Sequence, residues 1–161
     1  MPIEATHPQL VLRVEMFGLC SVILGEGGLV WNMRIMNDGP LGRKYGYTDA
    51  ASSTAPAKIA EVIGLIDRRL QKQAERGSLY LVGETLTAAD IYWATMSMCI
   101  TAVPPEIMPV TEQKQGMLKF FAGNSKIPII AEVLSHRIEE HQRHILQTHC
   151  ETPAVLGGDP I

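Results

Sequence analysis

The stretch Tyr80–Trp93, YLVGETLTAADIYW, is the most informative part of this chain, because local chemistry predicts a helix start within it. Thr87 is a good N-cap residue, since its hydroxyl can accept a hydrogen bond from an unpaired backbone N–H of the first turn. Asp90 lies three residues later, where its carboxylate can accept from the Thr87 backbone N–H and oppose the positive end of the helix dipole. Thr87 and Asp90 are therefore predicted to be structural residues of a capping box. The alternative is that Asp90 is a catalytic carboxylate.

Hydrophobic spacing on both sides of this stretch predicts an all-α bundle of five to six helices. Ile59, Val62, Ile63, Ile66 and Leu70 recur at helical spacing and form one apolar stripe. We predict one bent helix or two abutting ones over about 7–37, a helix from Thr54 to Gly77, one from Thr87 to about Ala102, a shorter one from Thr111 to Gly123, and a last one from near Pro128.

Glycine, proline and a further cap set the limits of these helices. Thr6–Gln9 has the pattern of a second capping box, and the glycines of Gly25–Gly28 are expected to kink or interrupt the first helix. Residues 38–54 are predicted to form a connection, and residues 151–161 an irregular tail. No strand hairpin signal and no internal repeat appears, so we expect one helical domain over residues 1–161.

Composition narrows the functional classes. The chain has 161 residues, 46% hydrophobic and 19% charged, with a formal net charge of −3 and no basic block. This composition is ordinary for a globular protein and disfavours a nucleic-acid surface. The apolar run Phe17–Trp31 is too short to cross a bilayer, and no secretion signal is visible, so we expect no membrane partner and a cytoplasmic location.

The stretch Ser78–Trp93 closely resembles the motif that nucleates the C-terminal helical domain of glutathione S-transferases. The GEGGLVWNMR string at 25–34 is similar to the long helix that opens this domain in some bacterial members. The ending is similar too, with a His- and Arg-rich segment, His141–His149, before Thr152 and Pro153. The resemblance implies a glutathione S-transferase C-terminal-like bundle that forms the hydrophobic co-substrate pocket and part of a dimer interface.

In such proteins a separate N-terminal thioredoxin-like domain binds glutathione and activates its thiol. This chain starts at Met1 directly ahead of the first helix of the second domain, so we expect the thioredoxin-like domain to be missing. The resemblance therefore implies no catalytic residue here and no cofactor bound by this chain alone. Glutathione would be a co-substrate, and an electrophile the second substrate, if a thioredoxin-like domain is supplied. The alternatives are a non-catalytic protein-interaction or assembly module of the same fold, and a small helical binder of apolar ligands.

Glu26, Trp31 and Arg34 are the substrate-pocket candidates, because they lie around the glycine-rich bend of the first long helix, where the family forms its pocket. A charged and an aromatic residue at such a bend could face an apolar cleft and hold a polar group of a ligand. The alternative is that Trp31 belongs to the core and that Glu26 and Arg34 are surface or paired charges.

The last helix contains four histidines, His136, His141, His144 and His149, with the His141–His144 spacing that can place two imidazoles on one face. A metal needs at least three converging ligands, so a solvated basic face is the favoured interpretation and no metal site is predicted. Cys20 and Cys99 are expected to be buried, and Cys150 exposed.

A helical domain without its thioredoxin-like partner should also expose a large apolar patch. We expect this patch on the first and third helices.

Overall fold

The computed structural model describes residues 8–154, and every regular element within them is helical. The all-α class is therefore confirmed. The α-helices are α1 Pro8–Leu24, α2 Leu29–Ile35, α3 Pro40–Lys44, α4 Asp49–Ala74, α5 Ala88–Met96, α6 Glu112–Gly123, α7 Pro128–Ala131 and α8 His136–His149, with 3₁₀ turns at Ser97–Cys99 and Asn124–Lys126.

The long helix α4 is the centre of the bundle. Its apolar stripe faces the core as predicted: Ile59, Ile63 and Ile66 are fully inaccessible to solvent, and Val62 is partly buried. Helix α4 packs against α2, α7 and α8, while α5 packs against α1 and α8. Trp93 of α5 and Leu81 of the preceding loop are also fully buried and join the same core. Burial of these side chains is the main source of stability, at about 25 cal/mol for each Å² of apolar surface removed from water.

The first long helix is divided in two at its glycines. Gly27 has a φ of +75°, a backbone conformation that favours glycine. A Cβ at Gly28 would lie 2.5 Å from the Val22 carbonyl oxygen, so only glycine fits there. Asn32 closes the break by donating its amide to the carbonyls of Gly27 and Gly28, at 2.6 and 2.8 Å. The structure therefore has two abutting helices, α1 and α2, and not one bent helix.

The predicted start of the second long helix at Thr54 is wrong. The helix begins at Asp49, and Thr48 caps it by accepting a hydrogen bond from the Ala51 N–H at 3.1 Å. Pro56 therefore lies inside the helix, where it removes one backbone hydrogen bond. The extra residues, about one and a half turns of helix, are held by the Ser52 hydroxyl, which donates to the Met36 carbonyl at 2.7 Å.

Other boundaries also differ from the prediction. The connection over residues 38–54 contains the short helix α3. The third helix is α-helical only to Met96, and the final helix is two helices, α7 and α8, separated by a turn. The turn brings the Ser135 hydroxyl onto the Asp67 carboxylate of α4, which fixes the start of α8. The Thr6–Gln9 capping box and most of the predicted tail lie outside the described residues.

Candidate functional site

Asp90 lies at the centre of the hydrogen-bond network at the start of α5. Its side chain is fully buried, and each carboxylate oxygen accepts two hydrogen bonds. Oδ2 accepts from the Thr87 backbone N–H at 2.8 Å and from the Thr87 hydroxyl at 2.7 Å. Oδ1 accepts from the Leu81 N–H at 2.7 Å and lies 3.1 Å from His141 Nε2. The Thr87 hydroxyl thus donates to Asp90, and the carboxylate joins the cap to both the preceding loop and α8.

These hydrogen bonds lower the pKa of the Asp90 carboxyl group. Burial by itself would raise its pKa, but the hydrogen bonds from His141, Leu81 and Thr87 outweigh burial and leave the pKa below its ordinary value. Asp90 is therefore a buried carboxylate anion with its hydrogen-bonding capacity filled. This arrangement suits a structural residue, because a proton acceptor in catalysis needs a free oxygen facing a substrate.

The loop before α5 is fixed by side chains of α4 that the sequence did not single out. The Gln73 amide donates to the carbonyls of Tyr80 and Gly83, at 2.9 and 2.7 Å. Arg69 donates to the Leu81 carbonyl at 2.8 Å and forms an ion pair with Glu15 of α1. Their partners are 7 to 54 residues away in sequence, so no local pattern could have identified them.

An apolar cavity of about 410 Å³ lies between α2, α3, the end of α5 and α6. Its apolar lining consists of Val30, Met33, Met36, Leu41, Met96, Phe120 and Phe121. Arg34 provides the charged group of the lining, and Asn37, Cys99 and Asn124 are its polar neighbours. A cavity of this size with few polar groups has the features of a small-molecule site.

The three pocket candidates are separated by the structure. Arg34 lines the cavity, whereas Glu26 is exposed and Trp31 is half-buried, and neither belongs to the lining. Trp31 instead packs edge-on against Tyr45, with ring centroids 5.2 Å apart. The Arg34 guanidinium lies 4.3 Å from the centre of the same Tyr45 ring, which holds this cation at the cavity wall. The aromatic lining comes from α6, which sequence reasoning did not connect with the bend.

The cysteines are all free and partly buried, so the contrast expected between Cys150 and the other two is wrong. Burial raises the pKa of Cys99, and the nearby positive charge of Arg34 offsets only part of this effect. Burial also raises the pKa values of Cys20 and Cys150. The thiol of Cys99 is therefore in its neutral form at the cavity wall, where it is not an activated nucleophile.

The histidines of α8 do not form one solvated face, and that prediction is wrong for His141. This side chain is 3% exposed and paired with Asp90. His144 is half-buried, and His149 Nε2 lies 3.1 Å from the Tyr80 hydroxyl. His136 is exposed and pairs with Glu140. Across residues 8–154, no three His, Cys, Asp or Glu side chains converge as a metal site would require.

Helix α1 presents an apolar surface to solvent, as expected. The exposed residues are Leu10, Leu12, Val14 and Phe17, with Val14 65% and Phe17 59% accessible. On α5, the third predicted helix, Tyr92 is the exposed large apolar residue. Exposed apolar side chains therefore lie on α1 as predicted, whereas α5 contributes one such residue. Within the described part of the chain, no helix is both long and apolar enough to cross a membrane.

No protein-family model matches the chain, and no curated protein and no solved structure matches it either. Function must therefore be inferred from the residues and their arrangement.

Proposed function

We propose that this chain is a glutathione S-transferase-like helical domain and that its apolar cavity accepts the electrophilic co-substrate. The cavity at α2, α3 and α6 is the observation that carries the proposal. Its methionine and phenylalanine lining suits an apolar molecule, and the Arg34 guanidinium suits a nitro, carboxylate or sulfonate group on that molecule. The resemblance of Ser78–Trp93 to the family motif supports the same conclusion.

The chain would contribute position and desolvation to the reaction. A glutathione thiolate, held by a thioredoxin-like domain, would form a carbon–sulfur bond as the leaving group departs from the electrophile. The apolar walls would exclude water and hold the electrophilic carbon at the thiolate. Arg34 would orient the polar group, since Tyr45 holds the guanidinium in place. Cys99 has a raised pKa and is unsuited to replace the glutathione thiol.

Binding of 8-anilinonaphthalene-1-sulfonate, an apolar anion with environment-sensitive fluorescence, tests the cavity. Arg34→Gln should weaken binding by about tenfold, the usual effect of losing one charge-assisted hydrogen bond. Arg43→Gln is the matched control, because Arg43 is exposed, pairs with Asp38 and lies outside the cavity lining. Equal affinities of the two variants, or no saturable binding at all, would contradict the proposed pocket.

Conjugation of glutathione to 1-chloro-2,4-dinitrobenzene should then be measured on this chain alone. We expect that the chain binds the fluorescent probe but does not catalyse conjugation, because we identify no side chain among the described residues that would activate the glutathione thiol. Conjugation well above the uncatalysed rate would overturn the assignment as a domain that depends on another for catalysis.

The exposed surface of α1 favours the second candidate, a protein-interaction or assembly module, which would also accommodate a homodimer. Leu10, Val14 and Phe17 are each more than half exposed, and their spacing of four and three residues places them on one face of α1. Apolar surface of this kind marks many interaction sites. Phe17→Asp should lower self-association measured by sedimentation velocity and leave probe binding at the cavity unchanged. A monomer at all concentrations, together with saturable probe binding, would favour the co-substrate pocket over the module.

A further inference from the structure

An open groove of about 490 Å³ lies beside the cavity that contains Arg34, between the end of α2, the start of α4 and α6. The two spaces share four lining residues, Met36, Asn37, Phe120 and Asn124. The rest of the groove is lined by Ser52, Pro56, Lys119, Gly123 and Ile127. The cavity and the groove are therefore adjacent, and an elongated molecule could lie along both.

Phe120 is an exposed aromatic side chain at the junction of the two spaces. It lines both the cavity and the groove, and it is 59% exposed. The neighbouring ring of Phe121, with its centroid 5.9 Å away, belongs to the cavity lining alone. Removing apolar surface from water is favourable, so an aromatic body lying across the junction would be stabilised by covering the Phe120 ring.

The charged side chains of the two linings are both cationic. Arg34 lines the cavity and Lys119 lines the groove, and neither lining, as far as the structure describes the chain, contains an Asp or Glu. Asp38 lies between two lining residues of the cavity in sequence, but its carboxylate is paired with Arg43 at 2.7 Å. The residues one turn from Lys119 along α6 also have no carboxylate: Gln115, Gly116, Ala122 and Gly123. The two spaces therefore favour an anionic group on each side of the shared residues.

We propose that the cavity and the groove together bind an elongated aromatic dianion, of about the length of biphenyl-4,4′-dicarboxylate. One carboxylate would bind the Arg34 guanidinium, the rings would pack on Phe120, and the second carboxylate would bind the Lys119 ammonium. The groove extends the proposed co-substrate cavity, on which this assignment rests, and it favours aromatic electrophiles with an acidic group at each end. Lys119 would then determine specificity by contacting the far end of the substrate.

Displacement of bound 8-anilinonaphthalene-1-sulfonate from the full chain measures the affinity of each acid. Biphenyl-4,4′-dicarboxylate should bind about threefold to fivefold more tightly than biphenyl-4-carboxylate, the effect of one ion pair with an exposed lysine. Equal affinities of the two acids, with the probe still bound saturably, would overturn the extended site and leave the cavity proposal standing. No saturable binding of the probe would refute the cavity and its extension together.

Variants locate the second carboxylate. Lys119→Gln should remove the preference for the dicarboxylate and leave the affinity of the monocarboxylate unchanged. Lys119 is exposed, so the substitution leaves the core intact. Lys126→Gln is the matched control, because Lys126 is also exposed and belongs to neither lining. Arg34→Gln should weaken both acids by similar factors. A preference that persists in Lys119→Gln, or that falls equally in the Lys119 and Lys126 variants, would refute the proposed contact.

Discussion

Replacing Asp90 with asparagine should remove a large part of the stability of this domain. The substitution keeps the size of the side chain but replaces one acceptor oxygen with an NH₂ group. That group would face either the Thr87 donors or the Leu81 N–H and His141 Nε2, all of which now donate to the carboxylate. Neither orientation of the amide satisfies both sets, so buried donors are left unpaired.

The magnitude follows from the burial of the pair. Asp90 is fully buried and the His141 side chain is 3% exposed, so solvent cannot replace the lost contact. Asparagine leaves two buried donors unpaired, and each unpaired buried donor costs about 1–3 kcal/mol, so the total loss is about 2–6 kcal/mol. Domains of this size are stable by about 5–15 kcal/mol in total. We therefore expect Asp90→Asn to lose on the order of a third of the free energy of unfolding.

Urea unfolding followed by tryptophan fluorescence and far-UV circular dichroism measures this loss. With a slope of about 2 kcal/mol per M, the midpoint should fall by about 2 M urea. Asp38→Asn is the control, because Asp38 is also a paired carboxylate, with Arg43 as its partner, but lies on the surface. Its midpoint should stay near that of the wild type. An Asp90→Asn midpoint equal to that of Asp38→Asn would refute the structural role of the buried pair.

The same carboxylate predicts a pH dependence of stability. The folded-state pKa of Asp90 is below its ordinary value, so the group stabilises the fold above the unfolded pKa of about 3.9. This contribution is lost as pH falls through the folded-state pKa. The difference in stability between wild type and Asp90→Asn should therefore narrow from about pH 4 downward. A difference that stays constant from pH 7 to pH 3 would contradict the ionised state.

Four further substitutions test the packing. Ile63 is fully buried on α4, so Ile63→Ala should lower the free energy of unfolding in urea by about 2–5 kcal/mol. Leu65 on the same helix is 39% exposed, so Leu65→Ala should cost less than about 1 kcal/mol. Similar losses in the two variants would contradict the assigned core face. Gly28→Ala should cost at least about 1–3 kcal/mol, because its Cβ would lie 2.5 Å from the Val22 carbonyl oxygen. Gly18→Ala, in open space on α1, should instead stabilise by about 0.5–1 kcal/mol, and a loss there would show that α1 packs differently.

Local signals predicted the parts of this fold that local chemistry determines. The break at Gly25–Gly28, the start of α5 after Thr87 and the buried stripe of α4 each depend on neighbouring residues along the chain. The start of α4 was missed because Pro56 suggested a first turn. In the structure, Thr48 caps the helix and Ser52 binds the Met36 carbonyl 16 residues away, so tertiary contacts outweigh the backbone hydrogen bond that Pro56 removes.

The candidate sites were predictable only in part, because cavities are formed by elements far apart in sequence. Arg34 was identified from its position at a bend, but the rings of Phe120 and Phe121 that complete its cavity belong to α6. His141 was read as a surface residue because its helix is rich in charge. Its partner Asp90 is 51 residues away, and no periodicity along α8 indicates that pairing.

Asp90 explains why the start of α5 and the burial of α8 depend on each other. At an exposed helix N-terminus, a capping carboxylate keeps its hydration and needs no counter-charge. Here the carboxylate is fully buried, and its Oδ2 is occupied by the cap while Oδ1 is directed into the bundle. A buried anion of this kind is costly unless a donor group compensates it, and His141 provides that group from α8. The contact between α5 and α8 is therefore specified by hydrogen bonding as well as by apolar packing.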